Sequence, residues 1–237
     1  MPRAAVTLTV SAPIARHLER RYRLERVELV PNFPEVGGRV TRKELRSLPR
    51  SGGMGHDGPV VLYLGGLMAG RGLEQLVDAI GFVPSAQLVL LGQGPIATDL
   101  AHRAARLGAG DRVHVLAPVG PDEVVAYAAS ADIGVSPIVP SCLNYRYSLP
   151  NKLFQYMAAG IPVVASDFPQ VRQIVEGAAC GVLVDTSRPR EIARAIERVS
   201  ADPGEARAMG ERGRAAVEAV YHWQAAGRTL LEAYGRL

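Results

Sequence analysis

Lysine is nearly missing from this chain of 237 residues: Lys43 and Lys152 stand against twenty-five arginines. Cysteine is scarce too, with only Cys142 and Cys180, in unrelated surroundings. That excludes a disulfide framework or a cysteine-based metal spacing, and makes a reducing, cytoplasmic setting the default. Aromatic residues make up only 5%. No apolar run approaches the roughly 18 residues that a membrane-spanning helix needs, so no span is expected. The amino terminus does not read as a secretory leader. The chain shows no repeat or low-complexity tract, and no serine–histidine–acid set, metal cluster or close pair of acids.

What remains is rich in Ala, Val, Leu and Gly, and 48% of the chain is hydrophobic. Such a composition suits a sheet covered by helices, with one substantial core or one domain and an appendage. The net charge is +4. Its basic residues are spread along helical stretches such as 188–198 and 207–214, which reads as solvated helix surface plus a mildly basic cleft for an anionic ligand. A nucleic-acid footprint would need tighter clustering, so no nucleic-acid partner is expected. The Arg-rich stretch 16–26 leaves open a peripheral association of the full protein with the inner membrane face.

Along the chain, a strand is expected over 5–10, then a helix capped by Ser11 and running to about Tyr22, then a strand over 27–30. Residues 35–58 are rich in Gly, Arg and Ser and read as a linker, with a brief helix near 41–48. From Pro59 the pattern is regular. Apolar runs at 60–64, 88–91, 113–116, 133–136, 163–165 and 182–184 alternate with amphipathic stretches at 71–82, 95–107, 121–130, 151–159, 169–176 and 188–201. Two further helices follow, near 203–219 and 223–236. Strand and helix alternating in this way predict right-handed βαβ units and a doubly wound parallel sheet of about six strands. The strands lack polar alternation, as expected when both faces are covered.

In such sheets ligands bind beyond the carboxyl ends of the strands, so the loops there carry the functional reading. The first contains Gly65, Gly66, Gly70, Arg71 and Gly72. Its glycines let backbone approach a ligand, and Arg71 can grip a phosphate with two N–H groups. It lacks the Lys-Ser/Thr of a Walker loop, and its spacing is not that of a dinucleotide fingerprint. The second loop, Leu91-Gly92-Gln93-Gly94-Pro95, is a tight turn into a helix. At the third, Asp122 reads as a helix-start residue and His114 as a packing residue. Asp132 and Asp167 read as structural, Asp167 lying on the edge where a ligand would be.

The most informative segment is 144–167, a polar, aromatic loop running into a helix that opens at Asn151. Ser148 or Asn151 can cap that helix, and Pro150 restricts the backbone before it. Lys152 falls in its first turn, where the macrodipole disfavours a cation. An anion held nearby would account for it, and the backbone N–H groups form a phosphate cradle. Tyr145 and Tyr147 read first as packing residues.

Taken in order, these loops resemble the donor-binding half of retaining nucleotide-sugar glycosyltransferases, the group-1 family with the two-domain GT-B architecture. The landmarks are Val10-Ser11-Ala12-Pro13-Ile14-Ala15, Val30-Pro31-Asn32, Tyr63-Leu64-Gly65-Gly66 with Arg71-Gly72, Leu91-Gly92-Gln93-Gly94-Pro95, Ala131-Asp132-Ile133-Gly134-Val135 and Met157-Ala158-Ala159-Gly160-Ile161-Pro162-Val163-Val164. The resemblance implies transfer of a hexosyl group from a nucleoside diphosphate sugar to an acceptor hydroxyl, with no metal required. It places Arg71 where the family holds the donor diphosphate, and Gly66 where many members carry an additional Arg. The family's two-glutamate motif falls on Tyr147 and Gln155, so both carboxylates are replaced. A variant with Ser-x-Pro-x-Lys before the second position places Ser148 and Lys152 near the diphosphate. Arg71 and Lys152 are then the catalytic candidates; Gly65, Gly66, Gly92, Gly94, Tyr147, Ser148, Leu149, Asn151 and Gln155 are the donor-binding ones.

The resemblance also implies a domain plan. Residues 1–34 would be the remnant of an acceptor domain, 35–58 a linker, 59–219 the nucleotide-sugar-binding domain, and 220–237 a helix that packs on the missing domain. Exposed apolar surface is therefore expected within 6–18 and 223–231. The alternative is a nucleotide-sugar-binding or subunit-interaction module without transfer. An epimerase of the same architecture is less favoured, because it would call for more acidic and histidine residues at the strand ends.

Overall fold

The computed structural model describes residues 4–35, 40–48 and 58–236. The expected linker at 35–58 falls largely outside these residues, over 36–39 and 49–57.

The chain opens with a small βαβ unit. β1 (Leu8–Thr9) and β2 (Glu28–Leu29) pair in parallel and are joined by α1 (Ala12–Tyr22). Both strands are shorter than the apolar runs predict, because among the described residues each has only the other as a partner and an isolated two-stranded pair is marginal. Ser11 occupies the N-cap position in an extended conformation but makes no side-chain cap. Instead its hydroxyl donates to the carbonyl oxygen of Tyr147 at 2.7 Å, which fastens α1 to the main domain.

The main domain contains β3 (Val60–Leu64), α2 (Leu73–Gly81), β4 (Gln87–Leu91), α3 (Ala97–Arg106), β5 (Val113–Leu116), α4 (Val124–Ala128), β6 (Ile133–Ser136), α5 (Leu143–Tyr147), α6 (Asn151–Ala159), β7 (Val163–Ser166), α7 (Pro169–Ala178), β8 (Gly181–Val184), α8 (Pro189–Ala201) and α9 (Pro203–Ala219). Its six strands are all parallel, in the order β5-β4-β3-β6-β7-β8. Strand order therefore reverses between β3 and β6, which places a binding crevice at their carboxyl ends.

Every residue of β3 and β4 is buried. Alternate side chains feed two cores. Val61, Tyr63, Leu88 and Leu90 pack with Leu76 and Ile80 of α2 and Ile192 and Ile196 of α8. Val60, Leu62, Leu64, Val89 and Leu91 pack with Leu153, Phe154 and Met157 of α6 and Val171 of α7. Covering both faces is what makes the strands read as unbroken apolar runs.

Two polar side chains and one glycine secure this arrangement. Asp132 Oδ2 accepts from the Val60 N–H at 2.7 Å, ending a backbone group that would otherwise be unpaired at the start of β3. The buried Tyr156 hydroxyl accepts from the Leu64 N–H and donates to the Val135 carbonyl, bridging β3 and β6 at the switch point. Its ring lies against Gly134, where an added Cβ would come within 2.2 Å of it. His114 is buried and lies 3.1 Å from Gln87 Oε1.

Two local expectations are corrected. The stretch 121–130 is a 3-10 turn, Pro121–Glu123, followed by the short α4. Asp122 lies in that first turn, as expected of a helix-start residue, and Glu123 accepts from the Gly120 N–H. The brief helix near 41–48 is a single 3-10 turn, Leu45–Ser47, anchored by Leu45 N–H to Ser130 Oγ.

The last helix, α10 (Trp223–Tyr234), returns to the opening unit. The Trp223 N–H donates to Pro34 O at 2.8 Å, and Arg236 pairs with Glu28 of β2. Phe33, Phe154 and Tyr221 interlock their rings where this crossover meets α6. Val10 and Leu231 are exposed, the latter at 74%, within the segments where uncovered apolar surface is expected.

Candidate functional site

A cleft of about 550 Å³ lies at the carboxyl ends of β3, β4 and β6, at the switch point. Its floor is built from two loops that are laced together. The Leu67 N–H donates to Gln93 O at 2.9 Å, and the Gly65 N–H donates to Leu91 O. Gly65 has φ of +117°, and a Cβ on Gly92 would sit 2.0 Å from the Gly65 carbonyl. Only glycine allows this approach, so the pair sets the floor's shape. Gly94 is held by the same packing, against Leu67 O.

The opposite wall comes from α5 and α6. The segment expected as a loop contains α5, a helix of one turn and a half whose short length gives it little stability of its own. It is secured by Ser11 at Tyr147 O, and by Tyr145, which packs against the core around α6. α6 opens after Pro150, and no side chain caps it. Ser148 and Asn151 therefore do not cap: the Ser148 hydroxyl donates to Tyr145 O at 2.8 Å, turning back into α5. The uncapped amino end of α6 adds its positive dipole end to the cleft.

Of the residues expected at the site, Gly65, Gly66, Arg71, Gly92, Ser148, Leu149, Asn151, Lys152 and Gln155 line this one cleft. Tyr147 and Gly94 are not among the lining residues. Tyr147 uses its backbone to hold α1, and Gly94 is a packing position. Gln93, Asn144 and Tyr145 line the cleft without having been singled out as ligand groups. Among the described lining residues none is acidic. Asp167 pairs with Arg172 outside the cleft.

Lys152 is the unusual group. It is 7% exposed, and its Nζ has no hydrogen-bond partner. Nζ lies 3.6 Å from the centroid of the Tyr63 ring, and it would be 3.8 Å from a Cβ on Gly65. Burial first, and the charge of Arg71 second, hold its ammonium well below the usual lysine range. Arg71 lies over the Tyr145 ring at 5.5 Å, and its buried Nε is also without a partner. The other lysine, Lys43, makes a 2.6 Å pair with Glu123 at the surface. Two donor atoms without partners, Lys152 Nζ and Arg71 Nε, beside an uncapped helix end and a glycine floor make an arrangement that could hold a multiply charged anion. Among the described residues no group of three or more His, Cys, Asp or Glu is placed to hold a metal ion. No described helix is long and apolar enough to cross a membrane.

Beyond these lining residues, sequence reasoning also missed Tyr63, which lies behind the cleft against Lys152. Between Leu62 and Leu64 it reads as strand core, and its only available signal was its place just before the glycine loop.

Comparison with known proteins bears on this arrangement. Residues 58–202 match the family described as "Glycosyl transferases group 1". A GDP-mannose-dependent alpha-(1-6)-phosphatidylinositol monomannoside mannosyltransferase from Mycobacterium tuberculosis is 30% identical over 189 residues, 78% of this chain and 48% of that protein. Sucrose-phosphate synthase from Thermosynechococcus elongatus is 26% identical, with a TM-score of 0.77 over 97% of this chain and 57% of that one. Anabaena HepE, solved in complex with UDP-glucose, superposes with a TM-score of 0.83 at 18% identity, over 99% of this chain and 64% of that one. The chain thus spans about half the length of the curated relatives it matches, and its parallel sheet is that of the GT-B glycosyltransferase structures. On the match across the whole main sheet and its cleft, the chain belongs to the group 1 glycosyl transferases.

Proposed function

We propose that this chain is the nucleotide-sugar-binding part of a glycosyltransferase that moves a hexosyl group from a nucleoside diphosphate sugar to an acceptor hydroxyl, with retention. The observation that carries the reading is the pair of buried, unpartnered donors, Lys152 Nζ and Arg71 Nε, in one cleft. Both would face the donor diphosphate and stabilise the charge that grows on it as the sugar leaves. No metal enters this scheme. Backbone at Gly65, Gly66 and Gly92 and the amino end of α6, with Ser148, Leu149 and Asn151, would wrap the phosphates. Gln155 would bond the ribose hydroxyls as a neutral donor and acceptor.

Acceptor recognition would come from an amino-terminal domain seated near β1, β2 and α10, where Val10, Leu29 and Leu231 are exposed. The mannosyltransferase relative is named for a lipid-linked acceptor, which supports a peripheral position for the full enzyme at a membrane face. By this reading the chain alone binds donor weakly and transfers little.

A second reading, a binding or subunit-contact module without transfer, is favoured by the lack of any acidic group among the described cleft residues. Calorimetric titration with UDP, GDP, ADP and TDP tests the donor site. If none binds, and Arg71→Ala changes nothing, donor binding is refuted. If one binds, transfer assayed after adding an amino-terminal acceptor domain separates the enzyme from the module.

A further inference from the structure

We propose that Tyr63 is a positioning residue for the anion-holding groups of this cleft, setting both the Lys152 ammonium and the glycine floor from one buried side chain. The inference rests on the donor-diphosphate reading and adds a residue to it. Tyr63 has no exposed surface and lies in β3, a strand flanked by β4 and β6, with Tyr63 itself paired to Leu90 of β4. A buried position within a central strand is a suitable base for a site.

Two contacts tie it to the cleft. Its ring faces Lys152 Nζ at 3.6 Å. That ammonium is buried and has no hydrogen-bond acceptor, so the negative face of the ring is a favourable electrostatic neighbour for it. An aliphatic side chain of similar size would fill the space and leave the charge bare. The Tyr63 hydroxyl donates to Gly66 O at 3.0 Å. The next N–H, of Leu67, donates to Gln93 O. The peptide between Gly66 and Leu67 is therefore pinned at both ends. Paired glycines would otherwise give this turn many conformations, and fixing them costs entropy that a ligand would have to supply. Burial pushes the Tyr63 hydroxyl up to about 12, so it remains a donor at neutral pH. The ring belongs to the core beneath α2 and α8, whereas Lys152 rises from α6 on the other layer. Their contact joins the two layers at the strand ends.

The test is a double-mutant cycle on the 237-residue chain, read by calorimetry with inorganic pyrophosphate and with UDP and GDP. Tyr63→Leu is expected to weaken pyrophosphate binding roughly ten-fold. In a Lys152→Met background the same change is expected to cost less than about two-fold, because the ring then has no ammonium to hold. Tyr63→Phe is expected to keep the full Lys152→Met penalty and to weaken binding by about three-fold through the freed Gly66 carbonyl. A loss with Tyr63→Leu that is equal in both backgrounds, or no loss, overturns the proposal, because a merely structural role gives no coupling to Lys152. If Tyr63→Leu does not fold by circular dichroism, Tyr63→Phe decides. Unchanged affinity, or a vanished Lys152→Met penalty, overturns it. Wild-type protein that binds neither pyrophosphate nor any nucleotide overturns both this proposal and the donor-site reading.

Discussion

Lys152→Met is the most informative perturbation, because it should move stability and binding in opposite directions. Methionine has nearly the length and flexibility of the lysine stem, so packing around α6 is kept. What is removed is a buried ammonium with no hydrogen-bond partner. Leaving such a group unsatisfied costs about 1–3 kcal/mol, partly offset here by the Tyr63 ring. After that offset the variant without ligand should be more stable by up to about 2 kcal/mol at neutral pH. In a chain of this size that is a rise in Tm of up to roughly 8 °C. The same change should weaken nucleoside diphosphate binding by roughly ten- to a hundred-fold, since a charge-assisted bond is lost.

The pH dependence follows from the direction of the shift. The folded-state pKa of Lys152 lies below its unfolded value. Between those two values the unfolded chain holds the extra proton, so wild-type stability rises with pH across that window. The stability advantage of Lys152→Met should be largest at neutral and lower pH and should shrink as pH approaches the usual lysine range. Binding has the opposite sign. A diphosphate favours the charged lysine, so above the empty-site pKa binding must take up a proton and affinity falls as pH rises. Differential scanning calorimetry with and without saturating UDP, at several pH values, reads all of this. Saturating ligand should erase or reverse the Tm order. A Lys152→Met protein that melts lower than wild type and binds equally well would refute the reasoning and leave the lysine as a packing residue.

The remaining predictions concern single contacts. Gly134→Ala drives a methyl group to within 2.2 Å of the Tyr156 ring, and should cost at least 1–3 kcal/mol in urea unfolding while also loosening the β3–β6 bridge. A loss below about 0.5 kcal/mol would mean that Tyr156 is free to move aside. Gln155→Glu restores charge assistance at the expected ribose contact, and should raise UDP or GDP affinity roughly three- to ten-fold by calorimetry, with no gain for pyrophosphate. An equal effect on both ligands would place Gln155 at the phosphates instead. Arg172→Ala removes a half-exposed pair with Asp167 and Glu176 outside the cleft, so both Tm and nucleotide affinity should be nearly unchanged. A large loss of affinity would bring Asp167 into the site.

The parts of the fold that were legible in the sequence are those where local pattern and tertiary environment agree. Val60–Leu64 and Ile133–Ser136 are buried along their whole length because both faces are covered, and their bounds can be read directly. β1 and β2 were overextended because an apolar run states what could pair, and not how many neighbours are present to pair with. α5 was missed for the converse reason. Its five residues carry no helical period, and what holds them is a hydroxyl 136 positions earlier in the chain, on Ser11. The same contact explains Tyr147, which motif spacing assigns to the donor but which is committed through its carbonyl to α1. Gly94 looked like a ligand position because close approach to a ligand and close approach to Leu67 require the same residue. Tyr63 was hidden because a strand-core aromatic and an ammonium platform look alike until the helix bearing Lys152 is in place.

The scarcity of lysine gains a physical reason from this site. Arginine keeps its charge in essentially any protein environment, whereas lysine gives up its proton when burial makes the charge costly. On the surface the difference matters little, and there this chain uses arginine almost throughout. In the cleft it matters, because Lys152 is buried beside Arg71 with no acid among the lining residues to neutralise either. An arginine at 152 would keep two permanent charges together in the empty site, with a larger head group to fit between Gly65 and the Tyr63 ring. A lysine can shed part of that cost while the cleft is empty and recover its charge when an anion enters. In the proposed donor site, the residue that the chain otherwise avoids would stand where its weaker hold on the proton is useful.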